Sequence, residues 1–207
     1  MGRRAGSRNA DYAKKRKELA QRVAEHLMAA DKERAPCLGR CAEAAGVSVP
    51  TLKHYFGDRQ GVLQAALGAV GTLGEVHVAK VAQPQGGVRE SLSAALLFFA
   101  EGWAAGLRCI VESGVVLSTE SASLGPSFLR DVLEPLILAL ERRLACHIDR
   151  GELRLDDTRV AALALWSPVV VALLHQDSLG GQSTRPLDLP AFIQAHVDGF
   201  LSGYAIA

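Results

Sequence analysis

Hydrophobic residues recur at intervals of three and four positions along most of this chain, which is the spacing of an apolar face on an α-helix. One short apolar face is formed by Leu38, Cys41, Ala42 and Ala45, and a second follows at Leu52, Tyr55 and Phe56. No stretch of useful length alternates polar and apolar residues as a half-buried strand does. The pattern therefore predicts an all-α protein.

The few residues between these two short helices predict a tight turn. Gly46 stands where the chain must reverse, because glycine takes a positive φ without steric cost. Ser48 can cap the second helix through its hydroxyl, and Pro50 lies in the first turn, where a missing N–H costs nothing. Two helices joined in this way form a helix-turn-helix, whose second helix enters the DNA major groove.

The periodicity predicts further helices on both sides of this pair, separated by breaks rich in Gly, Pro and Ser. They are expected near residues 11–30, 62–73, 88–105, 107–122, 128–150, 158–175 and 189–204. Asp58, Asp156 or Asp157, and Asp188 are candidate helix caps, and Pro135 is expected to kink the long helix or to mark its start. Residues 1–10 are polar and basic and are expected to be disordered without DNA.

Three glycines interrupt the helix that follows the helix-turn-helix. Gly68, Gly71 and Gly74 each weaken it by roughly 1 kcal/mol relative to alanine. Two interpretations remain open: the glycines soften the helix into a hinge, or they permit a close approach of another segment.

Charge is distributed unevenly along the chain. Residues 1–60 contain 13 Lys and Arg against 7 Asp and Glu, whereas residues 61–207 contain 10 against 15. A basic segment joined to an acidic body suits a protein with one surface that faces a polyanion. We therefore predict a DNA-binding domain at 1–60 and a separate helical domain at 61–207.

Composition narrows the remaining classes. The longest apolar run, Val160 to Leu174, is too short to span a bilayer and contains Pro168, so no membrane role is expected. The four cysteines are scattered, which indicates a reduced, cytoplasmic setting without a disulfide framework. No GxSxG, HExxH or phosphate-binding glycine loop is present, and no second ligand pair completes a zinc site with Cys37 and Cys41. We expect no enzyme activity, no metal and no cofactor.

A resemblance to a known family becomes specific at the helix-turn-helix. Ala44-Ala45-Gly46-Val47-Ser48, Thr51-Leu52, His54-Tyr55-Phe56, Asp58-Arg59 and Val62-Leu63 resemble the DNA-binding domain of the tetracycline-repressor (TetR) family. The motif covers roughly residues 10 to 67. The resemblance implies a homodimeric regulator, with an N-terminal three-helix DNA-reading domain and a C-terminal helical bundle that binds a small molecule and dimerises.

Two positions depart from the family pattern. Lys53 stands where the family usually has Tyr, so it would anchor a phosphate as a point charge rather than as an aromatic wedge. Cys37 replaces the usual Thr or Ser before the first of the two helices and is a poor cap. The operator sequence therefore does not transfer from the family.

The predicted DNA contacts combine exposed positions with those that the resemblance implies. They are Lys14, Lys15, Arg16, Arg40, Ser48, Thr51, Lys53, His54, Tyr55 and Arg59. Thr51 and Lys53 can reach base edges or phosphates, whereas most of the others would position the protein without specifying sequence. The arm with Arg3, Arg4 and Arg8 either enters the minor groove or gives unspecific attraction.

The C-terminal region supplies candidates for two further sites. The predicted ligand-binding residues are Phe99, Trp103, Glu112, Val116, Glu120, Trp166 and His175, although ordinary core packing or a solvated helix face remains the alternative for each. Their apolar bias favours a neutral, fairly lipophilic effector. The predicted dimer interface on the last helix comprises Ile193, Val197, Phe200, Leu201 and Tyr204.

These features predict a sequence-specific transcriptional regulator, most consistent with a repressor that an effector releases from a palindromic operator. A dimer of this kind reads half-sites about 34 Å apart or at multiples of that distance. The alternative is a ligand-binding or interaction protein of the same fold that no longer reads a specific DNA site.

Overall fold

A computed structural model describes residues 5–29 and 34–205, with side chains described from residue 9 onward. In these ranges the regular elements are helices, and one isolated bridge joins Leu153 to Ala205. The predicted all-α class is confirmed. The α-helices are α1 Ala5–Met28, α2 Leu38–Ala45, α3 Val49–Phe56, α4 Arg59–Ala82, α5 Val88–Gly102, α6 Arg108–Glu120, α7 Leu124–Phe128, α8 Glu134–Asp149, α9 Thr158–Leu173, α10 Gly181–Thr184 and α11 Leu189–Tyr204.

Most helix boundaries follow from caps that are visible in the sequence. Asp58 accepts a hydrogen bond from the Gly61 N–H at 2.9 Å, and Asp157 accepts from the N–H groups at the start of α9. Asp188 caps α11 in the same way. Pro135 lies in the first turn of α8 and marks its start, where a proline needs no N–H partner.

The observed helices differ from the predicted ones in three respects. Residues 5–10, expected to be disordered, belong to α1, while Arg3 and Arg4 lie outside the described residues. The expected turn at 124–127 is the short helix α7. Wider π-helical turns at Leu129–Leu133 and Leu174–Ser178 connect to regular helices, and the chain kinks between α5 and α6 at Trp103–Leu107, where Gly106 is not helical. The sequence did not indicate these irregular turns, because no single residue type marks the point where a helix widens.

The described residues fall into two compact units. The first, here called the head, comprises the chain through Gly74 together with Gly106–Leu133. The second, the body, comprises Glu75–Ala105 and the chain from Glu134 onward. The functional division after residue 60 stays a prediction, since compactness places α6 and α7 with the helix-turn-helix.

Each unit has its own apolar core. In the head, α1 packs on α2, α3 and α6, and the core contains Leu19, Val23, Leu27, Leu52, Leu63, Leu67, Ile110 and Leu117. In the body, α9 packs on α5, α8 and α11, and the core contains Leu92, Leu96, Leu144, Leu165, Val169, Ile193 and Val197.

A buried arginine fastens the end of α4 inside the body. Arg143 of α8 is 4% exposed, and all five of its N–H groups donate hydrogen bonds of 2.6–2.9 Å. The acceptors are the carbonyls of Lys80, Val81, Gln83 and Ser91 and the hydroxyl of Ser91. Burial lowers the pKa of the Arg143 guanidinium. The cluster supplies donors to carbonyls at a helix end that have no partner within the helix.

Three helical segments are long and apolar enough to cross a membrane by length and composition: Arg59–Ala82, Val88–Glu120 and Thr158–Ser178. This corrects the expectation that no segment reaches that length. The expectation rested on the length of uninterrupted apolar runs. These helices have a high mean hydropathy although small and weakly polar residues interrupt their apolar runs. The absence of a membrane role stays a prediction.

Candidate nucleic-acid interface and effector site

The helix-turn-helix has the local geometry that its sequence predicts. Gly46 adopts φ 67° and ψ 35°, and the Val47 N–H donates to the carbonyl of Ala42 at 3.0 Å, which closes α2. Ser48 caps α3 by accepting from the Thr51 N–H at 3.3 Å. Cys37, by contrast, makes no side-chain cap at the start of α2. The N-terminus of α3 is therefore capped by the side chain of Ser48, whereas the N-terminus of α2 has no side-chain cap.

One face of α3 is open to solvent. Thr51, Lys53 and His54 are exposed, while Leu52 and Phe56 are buried in the head. The expectation that Tyr55 is also buried holds only in part, since it is half-buried. The hydroxyl of Ser48 lies 2.8 Å from that of Thr51. The structure thus brings Ser48, Thr51, Lys53 and His54 onto one exposed surface, here called the α3 face.

Side chains of α1 fasten the other ends of the two helices. Tyr12 stacks on Tyr55 with ring centroids 4.8 Å apart, and its hydroxyl points at the carbonyls of His54 and Tyr55 at 3.2 and 3.3 Å. Arg16 donates to the Tyr55 carbonyl at 3.2 Å, and Arg22 donates to the Ala45 carbonyl of α2 at 3.0 Å. These groups serve as C-terminal partners for helices that are only eight residues long.

Several of the predicted cationic contacts have partners within the head. Arg16 also lies over the ring of Phe56, at 4.9 Å from its centroid. Lys15 pairs with Glu18 at 3.4 Å, and Arg40 pairs with Glu43 at 2.8 Å, both on the surface. Among the described residues, Lys14 and Lys53 have no ion-pair partner.

Arg59 is the largest departure from the predicted DNA surface. Its guanidinium donates to the carbonyls of Pro36 and Ala35 at 2.8 and 3.2 Å and pairs with Glu120 of α6 at 2.9 Å. It therefore holds the segment that leads into α2. The sequence showed a cation at the start of α4 but not the loop carbonyls beside it.

Three of the predicted ligand-binding residues lie in the head rather than beside the others. Glu112 pairs with Arg34 at 2.7 Å and lies 3.9 Å from Arg108, and Glu120 pairs with Arg59. Val116 is 39% exposed. Glu112 thus ties α6 to the segment that leads into α2, and Glu120 ties it to the start of α4. Residue type alone did not predict this arrangement.

The body brings together the three predicted aromatic residues. The ring centroid of Phe99 lies 5.4 Å from that of Trp166 and 6.3 Å from that of Trp103. Both indoles are buried, and the Nε1–H of each has no hydrogen-bond partner. His175 lies apart on an exposed turn, where its Nδ1 is 2.8 Å from the Gln176 amide nitrogen.

A small cavity adjoins this aromatic cluster. It is lined by Val81, Ala95, Leu96, Phe99, Leu136, Leu140 and Trp166, and its volume is about 10 Å³. That is room for a single water at most. An effector can enter here only if neighbouring side chains move.

The predicted dimer residues divide between the inside and the outside of the protomer. Ile193, Val197 and Phe200 are 0–8% exposed within a single chain, so they belong to its own core. Leu201 is half-buried, and Tyr204 is 36% exposed. The apolar stripe of α11 marks the side of the helix that is buried within the protomer. The sequence alone did not show this, because a protomer core and a dimer interface give the same apolar period.

Each of α9 and α11 has one exposed stripe of small or apolar residues, spaced three or four positions apart. They comprise Val160, Ala164, Ser167 and Val171 of α9 and Ala191, Ala195, Gly199 and Gly203 of α11. A Cβ added at Gly199 or Gly203 would meet no atom within 4 Å. These eight residues are here called the outer face.

Sequence reasoning missed a buried chain of hydrogen bonds beside Arg143. Ser91 Oγ lies 2.8 Å from His147 Nε2, and His147 Nδ1 is hydrogen-bonded to Glu152. Since Ser91 accepts from Arg143, its own proton is available to His147, which then donates to the carboxylate. The order Ser–His–Glu matches that of a hydrolase triad, but Ser91 and His147 are fully buried. Here the three residues fasten α5 to α8.

Comparison with known proteins adds to this geometry. No protein-family model matches the chain, and no curated protein matches it. Solved structures do. A protein of Mesorhizobium loti MAFF303099 assigned to the TetR-family transcriptional regulators is 15% identical with a TM-score of 0.70, covering 94% of this chain and 98% of that one. The TetR family transcription regulator SCO0332 is 25% identical with a TM-score of 0.67, covering 92% and 98%.

A third solved structure is that of the transcriptional regulator FadR from Bacillus subtilis in complex with stearoyl-CoA. It is 16% identical with a TM-score of 0.63, covering 90% of this chain and 97% of that one. These likenesses run over almost the whole chain and not only over the helix-turn-helix. As the residues of that motif indicated, the chain has the all-α fold of the TetR family of transcriptional regulators.

Proposed function

We propose that this protein is a sequence-specific, DNA-binding transcriptional regulator that acts in the cytoplasm as a homodimer. The α3 face carries the proposal, since its hydroxyl, ammonium and imidazole groups are exposed on a helix that is fixed at both ends. Such groups donate to phosphates and to base edges in the major groove. Lys14 adds an exposed cation on α1.

A palindromic operator requires two heads related by a two-fold axis. We assign the dimer contact to the outer face of α9 and α11, with Tyr204 at its edge, in place of the buried residues of α11. Its glycines and alanines allow two helices to approach closely, and its valines are otherwise exposed to water. Light scattering after size exclusion should give twice the protomer mass, and Gly199→Leu should lower the dimer fraction. A monomer at micromolar concentration would contradict this assignment.

Release by an effector requires that the ligand bind one state of the dimer better than the other. We propose two routes from the body to the head. One is α4, as the sequence suggested. The other begins at the kink Trp103–Leu107, where Gly106 takes φ 130°, and continues into α6 with its ion pairs to Arg34 and Arg59. Movement of α6 would then loosen the segment that leads into α2 and the start of α4.

The sign of control is proposed as repression, relieved by a neutral, fairly lipophilic molecule. The apolar cavity lining supports this chemistry. A second function, that of a ligand-binding protein without specific DNA recognition, is favoured by the ion pairs that occupy Arg40 and Arg59, since they leave fewer cations free for phosphate.

Selection from random DNA tests the proposal directly. The purified protein should enrich a palindrome and bind it about a thousandfold more tightly than bulk DNA. Lys53→Ala should weaken binding to that site and reduce the salt slope by about one. Lys80→Ala, which removes an exposed lysine of the body, is the matched control and should leave the slope unchanged. Equal affinity for all sequences would leave only the second function.

A further inference from the structure

The body contains two buried hydrogen-bond donors that lack acceptors. They are the indole N–H groups of Trp103 and Trp166, whose side chains are 1% and 7% exposed. Buried polar groups are nearly always paired, and an unpaired one costs free energy. These are the only two tryptophans of the chain, and both lie beside Phe99. Two unpaired donors beside one ring require an explanation.

The side chains that line the cavity beside this cluster carry no charge. The seven residues that line the adjoining cavity are all apolar, Trp166 included. The guanidinium of Arg143 donates to the carbonyl of Val81, another lining residue, and its remaining N–H groups are also occupied. An anion placed here would lose its hydration without gaining a hydrogen bond from Arg143, whose N–H groups are occupied, and this loss is unfavourable.

Donors without acceptors select for a ligand that supplies acceptors. A pure hydrocarbon would fill space but leave both indole N–H groups unpaired, whereas a carbonyl or ether oxygen would pair at least one of them. Because the cavity of about 10 Å³ is too small for such a molecule, the ligand must open it. The hydrogen bond to the indole then exists only in the opened state, and this gives the differential affinity that a switch requires.

We propose that the effector is a neutral, largely apolar molecule with a carbonyl-type oxygen that accepts a hydrogen bond from Trp103 or Trp166. The inference rests on the proposed function for its regulatory meaning, but not for the binding itself. Trp103 begins the kinked segment that leads through Gly106 into α6, so a ligand at its indole acts on the first residue of that route. Multiply charged thioesters such as stearoyl-CoA, which FadR of Bacillus subtilis holds, are excluded by this chemistry.

The experiment uses three probes of nearly equal size: acetophenone, ethylbenzene and benzoate. The full-length protein, labelled with ¹⁵N at tryptophan, should give two indole resonances, which Trp103→Phe and Trp166→Phe assign. Acetophenone should shift at least one indole proton downfield in a saturable manner. Ethylbenzene should bind more weakly and without a downfield shift, and benzoate should not bind.

The tryptophan variants provide the matched control. Phenylalanine keeps an aromatic ring but removes the donor, so the variant at the responding position should weaken acetophenone binding about tenfold and leave ethylbenzene binding unchanged. The remaining indole resonance must keep its wild-type position, which shows that the variant is folded. Equal binding of ethylbenzene and acetophenone, tightest binding of benzoate, or no binding by any probe would overturn the inference. None of these outcomes bears on specific DNA binding, which the selection experiment decides separately.

Discussion

The head and the body fasten the ends of their helices with the same chemistry, but one does so at the surface and the other in its interior. In the head, Tyr12, Arg16 and Arg22 reach from α1 to the last carbonyls of α2 and α3. In the body, Arg143 reaches from α8 to the last carbonyls of α4. The three side chains of the head are exposed, whereas Arg143 is buried.

Depth decides what each contact contributes. An exposed hydrogen bond or ion pair exchanges with water and contributes about 0–1 kcal/mol. Removing a buried partner leaves its acceptors without water, and the loss is several times larger. The α3 face therefore belongs to the head, whose helix ends are held by exposed and weaker hydrogen bonds. The aromatic cluster belongs to the body, where a helix end is held by buried and stronger hydrogen bonds.

The largest effect is expected at Arg143. Arg143→Met keeps most of the side-chain volume but leaves the carbonyls of Lys80, Val81, Gln83 and Ser91 without their donor, so the free energy of unfolding should fall by about 3–5 kcal/mol. Chemical denaturation measures it. Arg142→Met, one residue earlier on the same helix but exposed, should change it by less than about 0.5 kcal/mol. Similar losses in the two variants would refute the contrast in depth.

A second pair of variants tests the helix that runs from the head into the body. At Gly71, a Cβ would lie 2.5 Å from the carbonyl oxygen of Asp131, so Gly71→Ala should destabilise the protein by about 1–3 kcal/mol. At Gly74, the last residue of α4 in the head, a Cβ would meet nothing within 4 Å. Gly74→Ala should therefore stabilise by up to about 1 kcal/mol. Thermal unfolding of the two variants should shift in opposite directions.

The glycines of α4 were interpreted either as a hinge or as places where another segment approaches closely, and the two interpretations apply to different glycines. Gly71 permits a close approach of backbone, whereas Gly74 is available as a hinge. If it is one, Gly74→Ala should also require more effector for release from DNA, because a stiffer helix resists the change between states. Unchanged release would leave Gly74 without a mechanical role.

A smaller effect is expected where the head is fastened at the surface. Tyr12→Phe removes one hydroxyl from the carbonyls of His54 and Tyr55 and keeps the stacked ring, so about 0.5–1 kcal/mol of stability should be lost. DNA affinity should fall without any change in the salt slope, since no charge is removed. A reduced slope, as expected for Lys53→Ala, would show that Tyr12 acts as a phosphate contact instead.

The sequence predicted those parts of the fold that depend on neighbouring residues. Each of these residues makes its hydrogen bond within three positions of its own place in the chain. They are Gly46 and Ser48 at the turn and Asp58, Asp157 and Asp188 at the starts of helices. For this reason the helix-turn-helix and most helix boundaries were readable from one chain. The π-helical turns were not, because no single residue type marks the point where a helix takes in an extra residue.

The sequence did not show contacts between residues that are far apart along the chain. Arg59 and Glu120 were each predicted to meet a ligand, DNA or effector, yet they pair with one another across 61 positions. Ile193 and Val197 were predicted at a dimer interface because an apolar stripe does not say which partner covers it. In both cases the residue type was read correctly, but the sequence did not show the partner that each residue has within the protomer, since only the fold brings distant residues together.

The smallest effect is expected for an ion pair on the surface of the body, where depth and pH act together. Arg89 donates to both carboxylate oxygens of Asp198 at 2.6 and 2.8 Å, and this bonding lowers the pKa of Asp198. A carboxylate whose pKa is lowered by folding adds stability above its unfolded pKa of about 3.9. That contribution is lost as the pH falls through the lower, folded pKa.

Asp198→Asn should therefore lower the melting temperature slightly at pH 7 and not at all once the wild-type carboxyl is protonated in acid. Asp156→Asn, which removes an exposed carboxylate, should show no such convergence. A difference between Asp198→Asn and wild type that persists in acid would mean that packing, and not the charge, holds this contact. The surface of the body would then follow the rule found in its interior, and the contrast between units would not be one of depth alone.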